Sequence, residues 1–253
     1  AAWPRLSKLL APDGCWMLCL WETTARKRHL RLFMPVRFQW TGFPRTLVLQ
    51  PLANEYTPLG TPLIDKSHPE ETIEHLLRLM SDPSLELPPV FDLTFQRKDQ
   101  ESFQALEAAA ANLGLPFQYN REHSRAALRS DKVLGAEAGE PISKKRLRDY
   151  NRQLRRMGEL GSVKFRHAKT TDDVLDALEG FMTLELKSWK GRRGSALYNQ
   201  KRSAAFSRQI AAELSNLGAC EILSLLLDDR PIAALIIIGR KGRFMTWKMA
   251  YDE

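Results

Sequence analysis

No apolar run in this sequence is long enough to cross a bilayer. The longest, 222–227 (interrupted by Ser224) and 231–238, fall far short of the ~18 residues a span needs. The chain does not open on a basic segment followed by an apolar one, so no secretory leader is expected. Cysteine is scarce: three residues, an odd number, with no C-x-x-C pair for zinc or redox chemistry. Cys15 and Cys19 fall in a segment of strand character, where four residues at ~3.3 Å each hold them about 13 Å apart. A disulfide tolerates roughly 7 Å between Cα atoms, so buried free thiols and a reducing, cytoplasmic compartment are the expectation. The five histidines (His29, His68, His75, His123, His167) are scattered, with no carboxylate or cysteine at ligand spacing, and no metal site is expected. G-x-S-x-G, Walker and G-x-G-x-x-G loops are all missing.

What remains is an ordinary globular composition with one unusual stretch. The chain has 253 residues, 43% hydrophobic and 27% charged, enough for one large domain or two modest ones. Its formal net charge of +8 is not spread evenly. Between Lys144 and Lys169 stand ten bases and two acids, which accounts for the whole excess. The rest of the chain is neutral.

Along the chain, extended segments and helices alternate. Residues 14–21, 29–39 and 46–50 read as strands, and Trp16, Trp21, Phe33, Phe38 and Trp40 are expected in their core. Pro69–Met80 reads as a helix with Ile73, Leu76, Leu77 and Met80 on one stripe. A strand is expected over 90–95, a helix over 100–113 ended by Gly114 and Pro116, and extended chain over 117–119. The segment 135–142 has linker composition, dividing the chain into 1–134 and 143–253. Beyond it, Ser143 is placed to cap a helix to about Met157, followed by a strand over 163–166. Thr171 is placed to cap a helix continuing to Trp189, and a third helix spans 201–217. Strands at 221–227, 232–238 and 244–251 complete an α/β (α+β) pattern with a mostly antiparallel final sheet.

Two features carry candidate chemistry. In the basic helix, Lys144, Arg148, Arg152 and Arg155/Arg156 share one face, while Leu147, Tyr150, Leu154 and Met157 share the other. It is either a solvated helix docked on a core or a contact surface for polyanions such as RNA, a phosphorylated carrier or an anionic membrane. The second feature is Glu185, which helical spacing places on the apolar stripe of Val174, Leu178, Phe181, Met182 and Trp189. A carboxylate there must be paired or functional. After the helix, Gly191 and Gly194 bracket Arg192 and Arg193, a loop expected to present backbone N–H groups and positive charge to a phosphate or carboxylate.

The motif Leu184-Glu185-x-x-x-Trp189-Lys190-Gly191-x-x-Gly194-Ser195-Ala196-Leu197, with a strand ending Thr246-Trp247-Lys248-Met249-Ala250-Tyr251-Asp252-Glu253, resembles a bacterial family of GNAT-fold acetyltransferases. Members are often associated with exopolysaccharide or cellulose biosynthesis. The resemblance is specific over 143–253 and weaker over 1–134, chiefly at Asn54-Glu-Tyr-Thr-Pro-Leu-Gly-Thr-Pro-Leu63. It implies two GNAT-like halves, each a mostly antiparallel mixed sheet flanked by helices, as in the Fem aminoacyltransferases. It also implies that a Ser-Pro-Gly turn and a CoA-binding helix follow the last strand. The sequence stops at Glu253, so both halves are expected to be incomplete.

The activity so implied is acyl transfer, with acetyl-CoA as co-substrate, to an amine or hydroxyl of a small-molecule or saccharide acceptor. In such a site a base takes the acceptor proton while backbone N–H groups, here of Trp247, Lys248, Met249 and Ala250, hold the thioester carbonyl. Glu185 and Asp252 are the base candidates, and Tyr251 would protonate the leaving thiolate. Lys190 and Lys248 would orient the base or bind anions, Trp189 and Trp247 would wall the site, and Gly191, Arg192, Arg193, Gly194 and Ser195 would bind phosphate. Two other readings stand beside this one: a non-catalytic module of a polysaccharide assembly, and aminoacyl transfer from aminoacyl-tRNA.

Overall fold

The computed structural model describes residues 15–25, 27–53, 60–122, 124 and 143–253. They form two compact units, one ending at Glu122 and one built from residues 143 onward. The 135–142 segment and residues 54–59 of the weaker motif lie outside the described residues.

The first unit is a five-stranded sheet: β1 (Cys15–Thr23), β2 (Arg28–Thr41), β3 (Thr46–Pro51), β4 (Leu63–Ile64) and β5 (Val90–Phe91). β2 is antiparallel to β1, β3 and β4, while β3 and β5 run parallel. Two helices, α1 (Pro69–Met80) and α2 (Glu101–Asn112), supply the apolar cover. Every second residue of β2 (Leu32, Met34, Val36) enters a core with Ile73, Leu76, Met80, Leu106 and Ala109, as strand periodicity requires. That burial stops at Val36. Phe38 and Trp40, of the same parity, are exposed, and Trp16 packs beside Phe38 at 5.9 Å between ring centroids. The aromatic residues expected in the core are therefore mostly surface residues, because β2 runs on beyond its buried stretch. The strand expected over 90–95 is also shorter. It ends at Phe91, and Phe95 takes a left-handed φ of 53° that turns the chain away. Residues 117–119 form no strand; Phe117 and Tyr119 cluster with Phe103.

The second unit begins with α3 (Lys144–Gly158), whose first turn is capped by Ser143 Oγ accepting from the Arg146 N–H. A four-stranded antiparallel meander follows: β6 (Val163–Ala168), β7 (Cys220–Leu227), β8 (Arg230–Arg240) and β9 (Arg243–Tyr251), in that spatial order. Two-residue turns join the last three strands, with both central residues at positive φ: Asp228-Asp229 and Lys241-Gly242. Between β6 and β7 lie α4 (Thr171–Lys187), α5 (Trp189–Arg192) and α6 (Lys201–Asn216). Val174, Leu178, Phe181 and Met182 of α4 and Phe206 and Ala211 of α6 are buried, as are Ile222, Ile236 and Ala250 of the sheet. The molecule is thus mixed α/β, with two sheets flanked by helices. All three cysteines are free thiols, but only Cys220 is buried; Cys19 is exposed, against expectation. Among the described residues, no helix is long and apolar enough to cross a membrane, and no group of three His, Cys, Asp or Glu residues is placed to hold a metal.

Candidate active site

The site grows from the way α4 ends. Thr170, not Thr171, caps the helix, its Oγ1 accepting from the Asp173 N–H. Helical spacing then carries Glu185 onto the same buried stripe as Phe181 and Met182. The helix stops at Lys187 rather than at Trp189. Ser188 takes an extended conformation, donates its hydroxyl to the Glu185 carbonyl at 2.8 Å, and accepts from the Lys190 N–H at 3.2 Å. One serine thus closes α4 and opens α5. Gly191 permits the tight reversal, since a Cβ there would collide with the Leu186 carbonyl oxygen.

Inside this corner, the Glu185 carboxylate is fully buried and bonded on both oxygens. Oε1 receives Lys190 Nζ at 3.1 Å and lies 3.9 Å from Lys248 Nζ; Oε2 accepts the Leu197 N–H at 2.8 Å. Lys190 Nζ also donates to the Met249 carbonyl at 2.6 Å. Two cations and a backbone amide hold this carboxylate at the meeting of α4, α5 and β9. A general base must be reachable by the proton it removes. Glu185 is enclosed, and its geometry is that of an anchor.

β9 departs from regular pleating where it approaches Glu185. Lys248 stands opposite Ile236 and Thr246 opposite Ile237, so Trp247 is the extra residue of a β-bulge. Neighbouring strand residues ordinarily point to opposite faces. Here the bulge lets Lys248 reach toward Glu185 on α4 while the Trp247 ring lies edge-on to Phe206 on α6, 6.4 Å between centroids. β9 is also the outer strand of its sheet among the described residues.

The remaining expected residues divide. Trp189, half-exposed, donates its backbone N–H to Glu253 Oε1 at 3.1 Å, and Arg193 lies over its ring at 5.3 Å. Arg192 pairs with Glu253, whose carboxyl is held below the usual range by that bond and by the Trp189 N–H. The loop does not present the amides expected of it. The N–H groups of Gly191 and Arg192 return to Ser188, Arg193 to Trp189, Gly194 to Gly191, and Ser195 to Lys190. With every amide from 191 to 195 turned inward, only side chains such as those of Arg192 and Arg193 remain to meet an anion. Asp252 is exposed and apart from the Glu185 cluster's bonds, 3.6 Å from Arg230, its N–H donating to Ile232. Tyr251 is exposed at the end of β9.

Sequence reasoning missed Glu253 and the Leu197 amide, since contacts separated by 64 and 12 residues leave no spacing signal. Ser188 was missed as well, because the spacing carried one helix through it to Trp189.

A comparison with family models now bears on this arrangement: residues 144–253 match the one described as "Acetyltransferase (GNAT) domain". That region is a GNAT-type acetyltransferase domain. No curated protein matches the chain. Within the GNAT domain, the matched segment contains the buried Glu185 corner, the reversal at Gly191 and the bulged β9, and its family supports acyl transfer as the general activity.

Proposed function

We propose that the GNAT domain transfers an acetyl group from acetyl-CoA to an amine or hydroxyl of a small-molecule or saccharide acceptor, of the kind used in exopolysaccharide biosynthesis. The observation that carries this reading is the bulge at Trp247 in the outermost strand. It re-aims the stretch 247–250, whose backbone would face the thioester, at an edge no other described strand covers. The acceptor nitrogen or oxygen attacks the thioester carbon, and the outward-facing backbone N–H groups of the 247–250 stretch, that of Met249 foremost, stabilise the developing oxyanion. Asp252, an exposed carboxylate, takes the acceptor proton. The carbon–sulfur bond then breaks, the thiolate takes a proton from Tyr251, and solvent returns the proton from Asp252 to Tyr251. Trp189 and Trp247 wall the site. Arg192, Arg193, Lys190 and Lys248 supply the positive field for CoA phosphates, with Gly191, Gly194 and Ser195 shaping their loop. Glu185 is the anchor that keeps β9 and α5 in place.

The test is release of CoA thiol from acetyl-CoA, followed across a panel of amines and saccharides. Acceptor-dependent release is expected. Deleting Trp247, which restores the regular register, should abolish it while circular dichroism stays that of the parent. No release with any acceptor, together with no shift of the melting temperature by acetyl-CoA, would overturn the reading.

A further inference from the structure

We propose that α3 docks the protein on anionic phospholipid membranes. The cationic excess of 144–169 resolves, in the fold, into two parts. Lys164 is paired with Asp229 at 2.8 Å, and Arg166 with Asp176 at 2.7 Å and Asp173 at 3.5 Å. The seven bases of α3 are different. Among the described residues, the ion pair on this helix joins Arg152 to Asp149 of the same helix at 3.3 Å. No residue of α3 is buried.

The apolar side of α3 is as open as its charged side. Leu147 is 51% exposed, Tyr150 42% and Leu154 37%. At ~100° per residue these three and Met157 form one stripe. Arg146 borders it on one side, Lys144 lies nearest on the other, and Arg148, Arg152 and Arg155 are on the face turned away. A 15-residue helix with its stripe left this open is marginal in water and gains from any surface that covers it. A polynucleotide would neutralise the bases and leave Leu147, Tyr150 and Leu154 wet. An anionic bilayer interface accommodates both sides at once. The apolar stripe enters the headgroup–acyl boundary, the bordering bases reach phosphates along their aliphatic stems, and the opposite bases sit within the surface field. A strongly charged polar face with low overall hydrophobicity marks helices that lie on membranes rather than span them.

The experiment uses the whole protein with vesicles of phosphatidylcholine, with or without phosphatidylglycerol, and a duplex RNA as competitor. Cosedimentation is expected with the phosphatidylglycerol vesicles alone, weakening as salt rises. Replacing Arg148, Arg152 and Arg155 by Glu should weaken it about a hundredfold or more, from roughly 1 kcal/mol per base. The paired change Leu147→Gln and Leu154→Gln leaves the charge untouched and should weaken it at least tenfold. All these positions are exposed, so circular dichroism should show the parent fold. Failure to bind anionic vesicles overturns the proposal. So does RNA binding that displaces the vesicles and is indifferent to the leucine changes, which would make α3 a polynucleotide surface.

Discussion

Lys190 joins the buried carboxylate of Glu185 to the backbone of β9: its ammonium lies 3.1 Å from Glu185 Oε1 and 2.6 Å from the Met249 carbonyl oxygen. The corner where α4 breaks is therefore tied electrostatically to the strand that carries the bulge.

Removing the carboxylate should cost stability first. Glu185→Gln leaves two ammonium groups beside a neutral amide, and breaking a buried pair from one side costs about 3–5 kcal/mol. Lys190 and Lys248 retain some exposure to water, which places the expected loss at the lower end. Thermal melts should show a clear drop, with turnover per folded molecule within about tenfold of the parent. An unchanged melting temperature with kcat reduced by about 10²–10⁴, the range for general acid–base groups, would instead restore Glu185 as the base.

Gly191→Ala tests the reversal into α5. The added methyl group meets the Leu186 carbonyl, a backbone atom that cannot swing aside. Overpacking of this kind costs about 1–3 kcal/mol. Chemical denaturation should register that loss, whereas Gly194→Ala, where a Cβ meets open space but φ is +74°, tests conformational strain without collision.

Glu179 and Arg208 predict a pH dependence. Arg208 Nε donates to Glu179 Oε1 at 2.5 Å, and this bond, helped by Tyr198, lowers the Glu179 pKa from its ordinary 4.5. A lowered carboxyl pKa contributes stability that is present above the ordinary value and is lost as pH falls through the folded one. Both side chains are more than a third exposed, which limits the contribution to about 1 kcal/mol. Urea melts of Glu179→Gln should differ from the parent by no more than that at pH 7, and the difference should vanish in acid.

Cysteine chemistry should separate by position. Burial pushes the Cys220 thiol up to about 11, so it carries almost no thiolate at neutral pH. Iodoacetamide followed by peptide mass spectrometry should mark Cys19 in the native protein and reach Cys220 only after denaturation.

Local patterning made most of this fold legible. The stripe of α1, the Ser143 cap and the two hairpins all follow from spacing and turn chemistry within a dozen residues. The same spacing placed Glu185 on a buried face. What it could not give was the partner set: Leu197, Lys248 and Met249 arrive from elsewhere in the chain. The loop after α5 misled because glycine brackets indicate that a turn occurs, not where its amides point. The aromatic residues of β1 and β2 misled because alternation assigns a face but not how far along the strand that face is covered.

An outer strand such as β9 offers its backbone to any strand that drifts past, which makes it a template for chain-to-chain association. Lys190 occupies one of those acceptors, the Met249 carbonyl, with a charged group, and Arg243 stands exposed at the strand's start. The lysine that holds the anchor thus also occupies a site where another strand would pair. Loss of Lys190 should appear as turbidity rising with protein concentration, at temperatures where the chain is still folded.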